Sequence, residues 1–192
     1  MDYNIDFNYL EIENCEELNK MILEIVNNII KQQKSENYNT NFFFNYFINY
    51  GNDKLTLELA LIYQLVYIIL TINFTLPSMI SDCNLVNIKK PFHEKYGVSN
   101  TYLLLLILTS KIVNRYNTLI KENDYLKCIN ITDLININVN ELNFDNLNSK
   151  SLLNMYYNNI RYLIQNIVKT HSILYKSNKI SAEIIYKEFI NI

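Results

Sequence analysis

Between residues 14 and 33, apolar side chains recur every three or four positions, at Leu18, Met21, Ile22, Ile25, Val26, Ile29 and Ile30. That spacing predicts an amphipathic helix. Glu16 and Glu17 fall in its first turn and Lys31 in its last, as the helix dipole favours. A polar stretch from Gln32 to Asn41 ends it. Residues 42–50, FFFNYFINY, predict a short buried helix, closed by Gly51, Asn52 and Asp53 as a C-cap followed by a fresh N-cap. Residues 54–72, KLTLELALIYQLVYIILTI, are apolar on nearly every side and predict either the central helix of a bundle or a membrane span. From Ala60 to Leu76 the run approaches the roughly 18 to 20 residues a bilayer requires. Gln64, Asn73 and two threonines interrupt it, and no Lys/Arg cluster flanks it to set an orientation, so the core-helix reading is preferred.

Residues 73–97 hold Pro77, Pro91 and Gly97 among polar neighbours and predict a loop with at most one turn of helix. A second core helix is expected over 101–113, TYLLLLILTSKIV, capped by Ser99 or Asn100. Residues 114–150 are weakly patterned, with short helical candidates at 125–129 and 134–142. A long helix returns over 151–174, with Leu152, Leu153, Tyr156, Ile160, Leu163, Ile164, Ile167 and Val168 on one face, and 181–190 predicts a last one. The chain therefore reads as all-α. Its 192 residues suit one compact domain, divided into a helix and linker at 1–41, a helical domain at 42–165 and a helical extension at 166–192.

Two glycines and two prolines leave almost no material for tight hairpins or glycine-rich phosphate loops. Asn and Ile are abundant and Ala scarce, a bias that matches AT-rich coding, so individual asparagines carry little functional weight. A net charge of −2 gives no electrostatic footprint for nucleic acid. Cys15, Cys83 and Cys128 are widely separated and odd in number, which suits free thiols in a reducing compartment. The first residues lack a basic segment followed by an apolar run, so cytoplasm or nucleus is the expected location.

His93 and His171 have no partners at metal-binding spacing, and no nucleophile elbow, Walker loop or Cys-x-x-Cys occurs. Glu11, Glu13, Glu16 and Glu17 read as a charged helix start. No catalytic, cofactor, metal or small-molecule site is expected. What remains is a helical binding or regulatory module.

The segment Phe44 to Ile69, FNYFINYGNDKLTLELALIYQLVYII, resembles the opening of a cyclin box of the P/U type, the group that includes the yeast phosphate-pathway cyclins. That family has a short Tyr-Leu-x-x-Ile-x-x-Tyr helix, a polar loop and a long apolar helix containing Leu-Ile-Tyr. Tyr46, Phe47, Tyr50, Leu61, Ile62 and Tyr63 take similar places here. Ser110-Lys111 resembles the Ala-Ser-Lys that ends the third cyclin-box helix, and Asn123 to Ile129 resembles the Asn-x-x-Tyr-x-Lys segment before the fourth. The helix at 14–33 suits the extra helix such cyclins carry before the box.

The chain also departs from the pattern. Gln64-Leu65-Val66-Tyr67 stands in place of Asp-Arg after Leu-Ile-Tyr, Asn114 and Arg115 replace an acidic pair, and Ile129 to Thr132 replaces Gly-Gly-Ile-Ser. The helix-five Glu falls at Glu141 or, in another register, at Asn138.

The resemblance implies a five-helix cyclin box that docks its third and fifth helices on the regulatory helix of a cyclin-dependent protein kinase. Binding alone or binding with activation is consistent with it. Lys111 would be a hydrogen-bond donor at that interface and Glu141 a second contact, while Tyr102 and Tyr125 are expected to pack. Outside the resemblance, Lys111 reads as a solvated charge at a helix C-terminus. An alternative is a helical module with a groove for an amphipathic helix, in the manner of Bcl-2-like proteins. Its mark would be a single central helix wrapped by the others.

Overall fold

A helix apolar on all sides has to be enclosed, and the computed structural model encloses the segment that begins at Lys54. The structure describes residues 7–31, 42–49, 51, 53–78, 92–128, 149–176 and 182–190. Seven α-helices and no strand occur among them, so the fold is all-α: α1 (Glu16–Lys31), α2 (Phe42–Ile48), α3 (Lys54–Ser78), α4 (Phe92–Tyr96), α5 (Val98–Glu122), α6 (Ser149–Tyr175) and α7 (Ala182–Ile190). Short 3-10 turns occur at Asn8–Leu10 and Asp124–Cys128. The chain packs as two compact units, Met1–Arg115 and Tyr116–Ile192, and α5 runs from the first into the second.

In the first unit, every residue of α3 from Thr56 to Ile72 is buried. Its start is set by Asp53, whose Oδ1 accepts a hydrogen bond from the Thr56 amide at 3.1 Å and whose Oδ2 accepts from the Thr56 hydroxyl at 2.5 Å. An N-cap of this kind satisfies donors that the first helical turn leaves unpaired. Burial pushes the Asp53 carboxyl up, but the hydrogen bonds from the Thr56 side chain and backbone outweigh it, so its pKa lies below the usual aspartate value. The helix runs on to Ser78 rather than ending near Ile72 as periodicity suggested. Pro77 falls in its last turn.

The aromatic helix α2 folds back on α3. Phe43, Phe44 and Phe47 are buried, Phe47 stacks on Tyr63 with ring centres 5.4 Å apart, and Phe43 meets Tyr67 edge-on at 5.2 Å. Gln64, the polar residue inside the apolar run, is used here: its Oε1 accepts the Phe44 amide hydrogen at 3.2 Å. Phe44 lies in the first turn of α2, whose amides have no partner within the helix. A buried glutamine therefore completes a helix start that an apolar residue would leave unsatisfied.

Of the predicted stripe, α1 buries Leu18, Met21, Ile22, Ile25, Val26 and Ile29. It is tied to α4 through Glu24, which accepts hydrogen bonds from Lys95 Nζ and Tyr96 Oη, each at 2.5 Å. Burial raises the Glu24 carboxyl, and these two bonds with the nearby ammonium charge pull it below its ordinary pKa overall. Gly97 joins α4 to α5 at φ +83°, a left-handed conformation that glycine adopts without steric cost. Its amide donates to His93 O at 3.1 Å, and its carbonyl accepts the amide and hydroxyl of Thr101 at 3.1 and 2.9 Å. Gly97 thus begins α5, two or three residues before the caps expected at Ser99 or Asn100.

In the second unit, α6 packs on α7 and on the 3-10 turn. Tyr156, Ile160, Leu163, Ile164 and Ile167 are buried as predicted, whereas Leu153, expected on the same face one turn from the helix start, is exposed; the Arg161 guanidinium lies 4.7 Å from the Tyr186 ring centre. The turn at Asp124–Cys128 takes the place of the helical candidate at 125–129; the candidate at 134–142 lies outside the described residues.

Candidate interaction site

α5 begins with an apolar run, TYLLLLIL, that reads as core on every side, yet only one face of it is enclosed. Leu104, Leu105, Leu108, Ile112, Tyr116 and Leu119 are buried. Tyr102, Leu103 and Leu106 are 46, 45 and 69 % exposed. At 3.6 residues per turn, Tyr102, Leu106 and Ser110 form one row along the helix, and Leu103, Ile107 and Lys111 form the row beside it. The expectation of a second fully buried helix is therefore corrected: α5 is a two-faced helix that presents large apolar side chains to solvent. Tyr102 and Tyr125, expected to pack, are both exposed, Tyr125 at 49 %.

The sequence already held the signal. Ser110, Asn114 and Asn117 mark an exposed polar row, and stepping back by four from Ser110 reaches Leu106 and Tyr102. Uniform apolarity of the first turns masks that continuity.

Lys111 sits on the margin of the exposed face. Because α5 continues about three turns beyond it to Glu122, Lys111 is not at a helix C-terminus, and the dipole explanation for its charge does not apply. Its Nζ donates to the backbone carbonyl of Glu11 at 2.8 Å. The next residue, Ile12, is held by Asn19 of α1. The Asn19 carboxamide accepts from the Ile12 amide at 2.9 Å and donates to the Ile12 carbonyl at 2.7 Å. Residues 7–12 thus lie as a strap touching α1 and α5, with Leu10 buried beneath it. A cleft of about 240 Å³ runs beside the strap, lined by Phe7, Leu10, Ile22, Leu23 and Val26 among others. The second candidate, Glu141, lies outside the described residues.

One turn beyond Lys111, Arg115 makes a 2.5 Å ion pair with Glu58 of α3. Glu58 is almost wholly buried, and the Arg115 guanidinium also lies 5.6 Å from the Tyr9 ring centre. Nothing in the sequence links Glu58 and Arg115, which stand 57 positions apart. Their pairing nevertheless fixes the rotation of α5 about its axis. Arg115 stands nine positions after Leu106, half a turn round the helix axis, so the side of α5 that meets Glu58 lies opposite the side that carries Leu106.

Among the described residues, no group of His, Cys, Asp or Glu is arranged to hold a metal ion. His171 is buried against Tyr175, ring centres 4.8 Å apart, and desolvation pushes its pKa down. Cys15 is a half-buried free thiol just before α1. Among the described residues, two helices, α3 and α5, are long and apolar enough to cross a membrane; the apolar window of α3 is 94 % buried within the protein and that of α5 33 %. No family model, curated protein or solved structure matches the chain, so the reading of α5 stands on its own residues.

Proposed function

We propose that the chain is a cyclin-like regulatory subunit that binds a cyclin-dependent protein kinase, with α5 as the docking helix. The observation that carries this reading is the exposed row of Tyr102, Leu103 and Leu106 on the same helix as Lys111. That is the helix the cyclin-box resemblance assigns to the kinase. Covering a leucine or tyrosine of this exposure contributes on the order of 1 to 2 kcal/mol each, enough to make a small group of residues dominate binding. A kinase whose regulatory helix is misplaced lacks its Lys–Glu ion pair, and a rigid partner that binds only the competent position shifts that equilibrium.

A second reading is favoured by one observation. α3 alone among the described helices is buried without a break over several turns, from Thr56 to Ile72, while α5 is open on one side. A single central helix is the mark of a groove-type module that receives an amphipathic helix without any kinase.

Co-expression of the full chain with a panel of cyclin-dependent kinases separates the two. The kinase reading expects one kinase to co-purify and both Leu106→Glu and Lys111→Glu to weaken that complex at least tenfold. Absence of any co-purifying kinase, or a complex indifferent to both changes, overturns it. Binding of apolar helical peptides that depends on Leu106 but not on Lys111 would favour the groove-type module.

A further inference from the structure

The Lys111 ammonium already has an acceptor within its own chain. Glu11 offers a neutral backbone carbonyl at 2.8 Å, which takes one of the three donors that a lysine carries. The carbonyl is not held there by the local chain alone. Asn19 grips the next residue, Ile12, through both halves of its carboxamide, at 2.9 and 2.7 Å. The 3-10 turn Asn8–Leu10 supplies the bend, with Leu10 N donating to Phe7 O at 2.9 Å and Glu11 N donating to Asn8 O at 3.1 Å. Leu10 is buried in the core, so the strap is held between a buried leucine and a two-bond clasp.

We propose that residues 7–12 form an intramolecular gate that occupies Lys111 and limits its access to an acidic group on a partner. The chemistry favours exchange. A carboxylate makes a charge-assisted hydrogen bond to an ammonium that is about twice as strong as one to a neutral carbonyl. A partner Asp or Glu therefore displaces Glu11 O while Leu10 remains in place. The Asn19 clasp sets how readily the strap yields. The role given to the partner rests on the kinase-docking reading above. Occupation of Lys111 by the strap does not, and it is measured on the free protein.

The test is limited acylation of the full-length chain with an amine-reactive acetyl ester, followed by mass spectrometry of each lysine. Lys54 and Lys127, with side chains 78 and 63 % exposed, serve as references. Asn19→Ala removes both clasping bonds and is expected to raise Lys111 acylation about fivefold, the change expected from losing roughly one net hydrogen bond's worth of restraint. Asn19→Asp keeps the acceptor for the Ile12 amide but sets a carboxylate against the Ile12 carbonyl, so a smaller rise is expected. An unchanged Lys111 in both variants overturns the proposal. So does an equal rise at Lys54, which reports loosening of the whole unit rather than of the strap. Because no kinase is present, failure of this test and failure of kinase co-purification are separate results.

Discussion

α3 and α5 are the same length, 25 residues each, and both open with long apolar runs, yet one is core and the other is half surface. The difference lies in their few polar residues. On α3, Gln64 caps the aromatic helix α2 and Glu58 pairs with Arg115, so these two polar groups inside the run are each matched by a specific partner from another element. On α5, Ser110, Asn114 and Asn117 lie along one exposed row, and the apolar Leu106 and Tyr102 continue it. Polar residues scattered around a buried helix are structural fittings. Polar residues aligned on one side mark a surface, and apolar residues in the same row are surface too. Exposed leucines in such a row cost solubility without aiding the fold, which is why they point to a partner.

The contrast can be broken at several depths. The largest effect is expected in the α2–α3 core. Phe47→Ala removes a fully buried ring stacked on Tyr63 and should destabilise the chain by about 3 to 5 kcal/mol in urea unfolding. A loss below about 1 kcal/mol would mean α2 is not docked as described. Next is the buried ion pair: Glu58→Gln strands the partly buried Arg115 and should cost about 3 kcal/mol, whereas Glu58→Leu combined with Arg115→Leu should recover much of that loss. If the double change is as damaging as the sum of the singles, the two residues act independently.

Gln64→Leu should cost about 1 to 3 kcal/mol despite adding apolar volume to an apolar helix, because the Phe44 amide loses its acceptor. A stabilised Gln64→Leu variant would remove the cap from the account.

Smaller again is the helix start. Asp53→Ala should cost about 1 kcal/mol near neutral pH. Its folded pKa is depressed, so Asp53 contributes stability that is fully present above the ordinary aspartate value near 3.8 and is lost as pH falls through its folded value. The gap between native and Asp53→Asn proteins should therefore narrow in acid below that value. A gap that stays constant down to pH 2 would show that the carboxylate charge is not what caps α3.

How much of this was legible in the sequence differs between the two helices for a physical reason. The periodicity of α1 and α6 reads directly as amphipathic helix, and α3 reads as central, because its apolar residues cover all sides. The aromatic run 42–48 and the cap at Asp53 are readable from local chemistry alone. The pairings that orient α5 are not, because Glu58 and Arg115 meet only through tertiary packing and Asn19 grips a backbone segment that no side-chain pattern announces. Abundant asparagine adds to this: with so many present, nothing distinguishes Asn19, which holds Ile12 through two bonds, from those that only face water. Lys111 stands out only through the resemblance, and neither residue's neighbours announce its hydrogen bond to Glu11.

The smallest effect on stability belongs to the position on which the proposed function depends most. Leu106→Glu, at the most exposed leucine of α5, should leave the urea midpoint of the free protein within about 0.5 kcal/mol of native. The direct measurement is retention of a co-expressed cyclin-dependent kinase by native and Leu106→Glu chains side by side, with the free-protein midpoint recorded for both. The account predicts an unchanged midpoint and loss of the kinase. A variant that keeps its stability and retains the kinase as fully as the native chain would contradict the assignment of α5 as the docking helix.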